Sequence, residues 1–331
     1  MRECSVAESR RGRGTASGKV ILLGEHAVVY GFPAIALPIP RQVTVELSFR
    51  SELSGRVGYG TPAAPPAAAT ITLPDLLLHA GTRLGVDTCD LEVSVASNIP
   101  PGMGLGSSAA LSVALLRALA DLTGVHLGLA NLNAHAYALE CLFHGEPSGV
   151  DNTTVTYGTL LRFVRGASLE PLEAAAPLHL AVVLGKQPRC TRAVVARLNA
   201  QRQATPAAVD RAFAAIGELA NHAVEALRSG DHALLGACMN ENHELLCALG
   251  VSTDELDALV AEARRAGAWG AKLTGGGGGG AIVCLCPTNR PQLLQHFEQK
   301  GVQAFAVDWT PSSRGAYERQ VAELSTPDRN V

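Results

Sequence analysis

Three glycines spaced two apart, Gly102, Gly104 and Gly106, run directly into Ser107 and Ser108. Glycines this close together let backbone N–H groups approach a ligand without a Cβ in the way. Residues 109–122 follow, with Leu111, Leu115, Leu119 and Leu122 at helical spacing, so the loop opens a helix. The first amides of a helix are unpaired and its dipole is positive there, which suits a phosphate group. One of the two serine hydroxyls would be available to Mg²⁺. The competing reading of the same residues is a tight turn with a serine N-cap.

A second stretch carries acids. Glu140 ends a helix predicted over residues 131–143, and Asp151 lies eleven residues on, beyond Gly145, Pro147 and Gly149. The turn reverses the chain, so both carboxylates can face one pocket. One would hold Mg²⁺ beside phosphate oxygens. The other would accept a proton from a substrate hydroxyl. Taken alone, the pair reads more readily as solvated loop acids.

Lys19 enters the apolar run Val20, Ile21, Leu22 and Leu23. It is either an edge charge or a cation aimed at developing negative charge. His26, beside a Gly-Glu-His turn, is either a packed histidine or a site residue. Gly275–Gly280 are six consecutive glycines with apolar residues close on both sides. They suit a flexible linker or a tight loop lying against a substrate or phosphate.

These loops depart from the common nucleotide motifs. No lysine follows a G-x-x-x-x-G loop, as a Walker A motif requires, and the 102–107 stretch ends in Ser where the dinucleotide fingerprint has Gly. Hydride transfer is therefore disfavoured.

The elements that must position these residues show in the patterning. Strands are expected at 18–23, 43–49, 91–95, 180–184 and 281–286, and helices at 76–84, 109–122 and 131–143. Four further helices, rich in Ala and Leu, are expected at 191–203, 206–229, 231–249 and 254–266. Residues 61–70, TPAAPPAAAT, read as an exposed low-complexity loop. Strands in both halves with helices grouped between them point to an α+β fold with antiparallel sheet. Residues 1–14 read as a tail, 15–180 as a first domain and 181–331 as a second.

Composition narrows the function classes. The chain has 331 residues, 47 % of them hydrophobic and 17 % charged, enough to bury a large core. A formal charge of −3 leaves no basic field for nucleic acid or an anionic membrane. None of the eight cysteines forms C-x-x-C, which fits reduced thiols in a cytosol. With neither a long apolar run nor an apolar stretch behind the first arginines, a cytoplasmic location is expected.

In order, GKVILLGEHAVVYG at 18–31, IPPGMGLGSSAA at 99–110, HGEPSGVDN at 144–152 and KLTGGGGGG at 272–280 resemble the GHMP kinase superfamily. The first and third are similar to its mevalonate-phosphorylating branch, as is MNENHELLCALGV at 239–251. The resemblance spans roughly residues 16–286. It implies a ribosomal S5-type N-terminal domain with a left-handed β-α-β unit and a ferredoxin-like C-terminal domain, with the site between them.

The resemblance also implies roles. Asp151 matches the catalytic base and Lys19 the lysine beside the reacting hydroxyl. Glu140 and Ser108 match the Mg²⁺ ligands. Gly102, Gly104, Leu105, Gly106, Ser107 and Ser108 match the phosphate loop. Glu25, His26 and Thr191 match positions near mevalonate, and Gly277 and Gly278 belong to the loop closing over the substrate. Lys272 and Arg189 are candidates for its carboxylate.

Implied with these are ATP as co-substrate, Mg²⁺ and a homodimer, because the family is often dimeric. Other acceptors (phosphomevalonate, homoserine, a sugar), a sister decarboxylase and a non-catalytic sensor are the rival readings. Ser17, Gly276 and His243 depart from the family's usual proline, alanine and glutamine.

Overall fold

In the first half, apolar alternation and a long bulged hairpin build one sheet. In the computed structural model, which describes residues 11–49, 71–287 and 290–310, strand β1 (Arg11–Leu23) pairs antiparallel with β2 (Ala34–Phe49). A single 3₁₀ turn, Ala27–Tyr30, lies in the connection. Helix α1 (Leu73–Leu84) follows, closed at its start by a Thr72–Asp75 capping box, and then β3 (Leu91–Ser97). Helices α2 (Ser107–Thr123), α3 (Leu129–His144) and α4 (Val150–Tyr157) lead to the short strands β4 (Leu161–Phe163) and β5 (Glu170–Pro171). The sheet order is β1-β2-β4-β5, with β3 also on β2. Both β3 and β4 run antiparallel to β2, so they run the same way and α2 to α4 form the crossover between them.

The second half begins with β6 (Leu178–Leu184) and four helices, α5 (Thr191–Ala204), α6 (Pro206–Ser229), α7 (His232–Ala248) and α8 (Asp254–Arg265). Then come β7 (Gly270–Thr274), β8 (Ala281–Leu285), α9 (Arg290–Gln299) and β9 (Ala304–Trp309). The order β7-β8-β6-β9, antiparallel throughout, is the ferredoxin-like arrangement, with four helices filling its first crossover. The two sheets are hooked together by Thr274, whose hydroxyl accepts from Ile21 N at 2.9 Å and donates to Ile21 O at 3.1 Å. Among the described residues, no helix is long and apolar enough to cross a membrane.

The α+β class stands, and the long helices fall within a few residues of their expected limits. Four expectations change. Residues 11–14, read as tail, are strand: Gly12 and Gly14 let α2 lie directly on β1, where a Cβ on Gly14 would come within 2.0 Å of Ala114 O. Gly14→Ala is accordingly expected to cost about 1–3 kcal/mol, read as a lowered Tm. The second strand starts nine residues earlier than its pattern suggests. Register shifts from Ser17↔Gln42 to Gly18↔Ile39, so Pro40 and Arg41 bulge out of the ladder, where proline's missing N–H does no harm. The expected domain boundary at 180/181 falls inside β6, which pairs with both β8 and β9. Finally, α4 has no counterpart among the expected helices: its Thr-Thr-Val-Thr run is a poor helix former, yet tertiary burial of those residues overrides propensity. Residues 1–10 and 61–70, read as tail and loop, lie outside the described residues.

Candidate active site

Lys19 sits where β1 passes under the loop that opens α2. Its amide donates to Leu105 O at 2.9 Å, and its fully buried Nζ donates to Gly104 O at 3.1 Å. Gly102, Gly104 and Gly106 have φ of 72°, 79° and 76°, in the left-handed region that favours glycine. At Gly106 a Cβ would also come within 2.9 Å of Lys19 Cγ, so the loop can settle on the lysine only without a side chain there. Ser107 and Ser108 are the first two residues of α2. The N-cap is Gly106, which offers no side-chain acceptor, so the expected alternative of a serine cap is not what is built. The helix entrance is open to an anion.

Asp151 lies in the first turn of α4, and its Oδ1 accepts from Lys19 Nζ at 2.9 Å. The Asp151 side chain is 22 % exposed while that of Lys19 is fully buried, so the carboxylate is the partner a substrate can reach. Burial pushes the Asp151 carboxyl up, but Lys19 and Arg189 outweigh it and hold it below the ordinary value. The group is an ionised carboxylate at neutral pH, ready to accept a proton.

Glu140 reaches the same place from the last turns of α3 and is almost wholly buried. Its Oε2 accepts from Ser108 Oγ at 3.1 Å, and Ser108 Oγ lies 3.2 Å from His144 Nε2. The other oxygen, Oε1, is buried with no partner. Burial, and then the nearby Asp151, push the Glu140 carboxyl up to about 8. An orphaned carboxylate oxygen beside a serine hydroxyl is a donor set suited to a hard cation, so Ser108 and Glu140 fit Mg²⁺.

Lys19, Glu140 and Asp151 line one cavity of about 600 Å³ together with His26, Arg189 and Thr191, whereas residues 102–108 are not among its lining. His26 holds φ 62°, the one left-handed non-glycine among the described residues, and its Nε2 donates to Gly276 O at 3.1 Å. Burial lowers its pKa to about 4, so the ring is neutral. Glu25 lines the cavity too and is ion-paired with Lys272; its Oε2 is buried without a partner. Lys272 also donates to Leu273 O at 2.6 Å and is not among the lining residues. That leaves Arg189 as the better placed of the two cations considered for a substrate carboxylate.

Thr191 starts α5, and its Oγ1 is buried without a partner. The glycine at 276 has a reason here: a Cβ would lie 2.5 Å from that hydroxyl. The two glycines expected over the substrate, Gly277 and Gly278, lie behind the cavity. Gly278 N donates to Val251 O at 2.9 Å and its carbonyl accepts from Cys190 N at 3.2 Å. It is Gly275 and Gly276 that line the cavity. Sequence reasoning missed His144, whose position four residues after Glu140 on a helix was the available signal. It also underrated Arg189, whose backbone N donates to Gly102 O at 2.8 Å and so ties the loop ahead of α2 to the second half.

Family models agree with this architecture. The one described as "GHMP kinases N terminal domain" matches residues 67–159, and "GHMP kinases C terminal" matches 223–303. The chain belongs to the GHMP kinase family. Its curated relatives include the mevalonate kinase of Pyrococcus horikoshii, 35 % identical over 84 % of this chain and 90 % of the relative. That of Aeropyrum pernix is 35 % identical over 90 % and 96 %. Among solved structures, L. major mevalonate kinase in complex with R-mevalonate superposes with a TM-score of 0.78 at 32 % identity, covering 91 % of this chain and 97 % of that one. The Streptococcus pneumoniae phosphomevalonate kinase shares the fold, with a TM-score of 0.71 at 16 % identity, covering 91 % and 100 %.

Proposed function

We propose that this chain is a mevalonate kinase: it transfers the γ-phosphoryl group of ATP to the C5 hydroxyl of mevalonate, giving 5-phosphomevalonate for isoprenoid precursor synthesis. The observation that carries the reading is the Lys19–Asp151 pair, lying under an open helix entrance and facing the cavity that Glu140 also lines.

Phosphoryl transfer needs mainly positioning and electrostatic stabilisation. The amides at the start of α2, with Gly102, Gly104, Leu105, Gly106 and Ser107, receive the phosphates. Asp151 accepts or orients the hydroxyl proton. Lys19 keeps Asp151 ionised and offsets the negative charge that grows on the attacking oxygen. His26, Glu25 and Thr191 present a neutral ring, a free carboxylate oxygen and a free hydroxyl to the substrate's polar groups. Ser108 and Glu140 would hold Mg²⁺, which would supply neutralisation of the phosphate charge.

A coupled ADP-release assay against mevalonate, phosphomevalonate, homoserine and galactose tests the substrate. Release with mevalonate alone is expected; release with a different acceptor alone overturns the reading. Glu140→Gln is expected to raise the Mg²⁺ concentration needed for half-maximal rate. An unchanged Mg²⁺ titration would remove Glu140 from the metal site.

We divide the chain between Pro171 and Leu178, in the connection between the two sheets. The N-terminal part carries the phosphate loop and the base, and the C-terminal part the glycine loop. A homodimer and a cytoplasmic location complete the proposal, to be tested by sedimentation and by cell fractionation.

A further inference from the structure

Away from this cavity, three side chains converge where α7 meets α8. His243 and Cys247 stand one turn apart on α7, and Asp257 joins them from the first turn of α8. His243 Nε2 lies 3.5 Å from Cys247 Sγ and 3.3 Å from Asp257 Oδ1, and Cys247 Sγ lies 3.3 Å from the same oxygen. A tetrahedral zinc ion with ordinary bond lengths sets its sulfur and nitrogen ligands about 3.6 Å apart, sulfur and oxygen about 3.5 Å, and nitrogen and oxygen about 3.3 Å. The triangle matches one face of that tetrahedron to within about 0.2 Å.

The hydrogen bonding of the cluster is overfull without a cation. Asp257 Oδ1 is approached by the Cys247 thiol, the His243 Nε2–H and the Ser252 hydroxyl, the last at 2.5 Å. Three donors converge on one oxygen with two lone pairs. A nucleophilic Cys-His-Asp triad is the other chemistry such residues suggest. It does not suit this place: burial pushes the thiol up to about 11, and none of the three residues lines the cavity.

We propose that His243, Cys247 and Asp257 form a zinc-class cation site, with water completing the tetrahedron. His243 is buried, while Cys247 and Asp257 are partly exposed and leave a route for the ion. On binding, the Cys247 thiol proton leaves to solvent and the thiolate takes its place on the metal. The imidazole proton moves from Nε2 to Nδ1, and the long 3.4 Å contact from Leu273 N to Nδ1 opens. One proton is released per ion. Ser252 remains on Asp257 as the outer partner that orients the ligand. The site lies beside a turn that supports the glycine loop, where Val251 O holds Gly278 N at 2.9 Å. A cation here fastens α7 to α8 and thereby braces the glycine loop from behind.

The test uses the full chain, stripped with a chelator and kept in excess Mg²⁺ so that the Ser108–Glu140 pair is not titrated. Zinc is titrated against a chromophoric chelator, and Co²⁺ is added separately as a spectroscopic probe. The expected result is one zinc per chain with submicromolar Kd, one proton released, a zinc-dependent rise in Tm, and a Co²⁺ spectrum with a thiolate-to-metal charge-transfer band. Cys247→Ser should abolish that band, and both it and His243→Gln should weaken zinc binding at least tenfold. Absence of stoichiometric zinc binding, a wild-type Co²⁺ spectrum lacking the thiolate band, or variants that bind zinc as tightly as wild type would each overturn the site. The wild-type spectrum decides the matter even if a variant fails to fold, and no kinase assay enters.

Discussion

Asp151→Asn is expected to lower kcat on the order of 10²- to 10⁴-fold, the worth of a well-placed general base, while ATP still binds. Asparagine has nearly the same shape, so the start of α4 and the cavity wall are kept. Its amide cannot take a proton, and it removes the counter-charge of a lysine that is fully buried. The loop proposed to receive the phosphates is held by contacts that Asp151 does not make, Lys19 N to Leu105 O and Lys19 Nζ to Gly104 O. Nucleotide affinity, measured calorimetrically with a non-hydrolysable analogue, should therefore change far less than turnover. Turnover within tenfold of wild type would remove Asp151 as the base.

Lys19→Met carries the second large effect. Methionine fills much of the same volume without the ammonium. With Lys19 gone, the balance at Asp151 tips toward burial, the largest influence on it, and the carboxyl pKa rises. A base with a raised pKa is protonated over more of the acid range. The acid limb of kcat/KM should therefore move to higher pH, with partial recovery as pH increases. At neutral pH the loss of the cation from the growing oxyanion is expected to cost on the order of 10²- to 10³-fold in kcat. Stability should fall by about 3 kcal/mol, the low end for breaking a buried ion pair, because Asp151 keeps some solvent contact. Reduced activity with an acid limb at the wild-type pH would mean that Lys19 does not tune Asp151.

Much of the site is legible in residue types and spacing. Gly102, Gly104 and Gly106 announce an anion loop because only glycine takes φ near 75° at three alternate positions without strain. The two serines, Glu140 and Asp151 stand out by residue type and by the turn between the two acids, while the separate role expected of each came from the family resemblance. What could not be read is which face of the Gly275–Gly280 run meets the cavity. That depends on Val251, Cys190 and Thr191, which pack against individual glycines of the run. Equally hidden was the strand at 11–14, since Gly12 and Gly14 look like a loose end until α2 lies on them.

The sequence by itself determined the α+β class, the long helices, the glycine-rich loop that opens α2 and the family to which the chain belongs. Those properties are written in local spacing and in residue types that do one job. Tertiary structure alone decided the rest. It paired Lys19 with Asp151, left Glu140 an orphaned oxygen, and committed Lys272 to Glu25, 247 residues away in the chain. It also gathered His243, Cys247 and Asp257 around one point. A side chain's charge, partner and access to water are set by what the fold brings beside it. Contacts made between separate elements leave no mark in the patterning of either one.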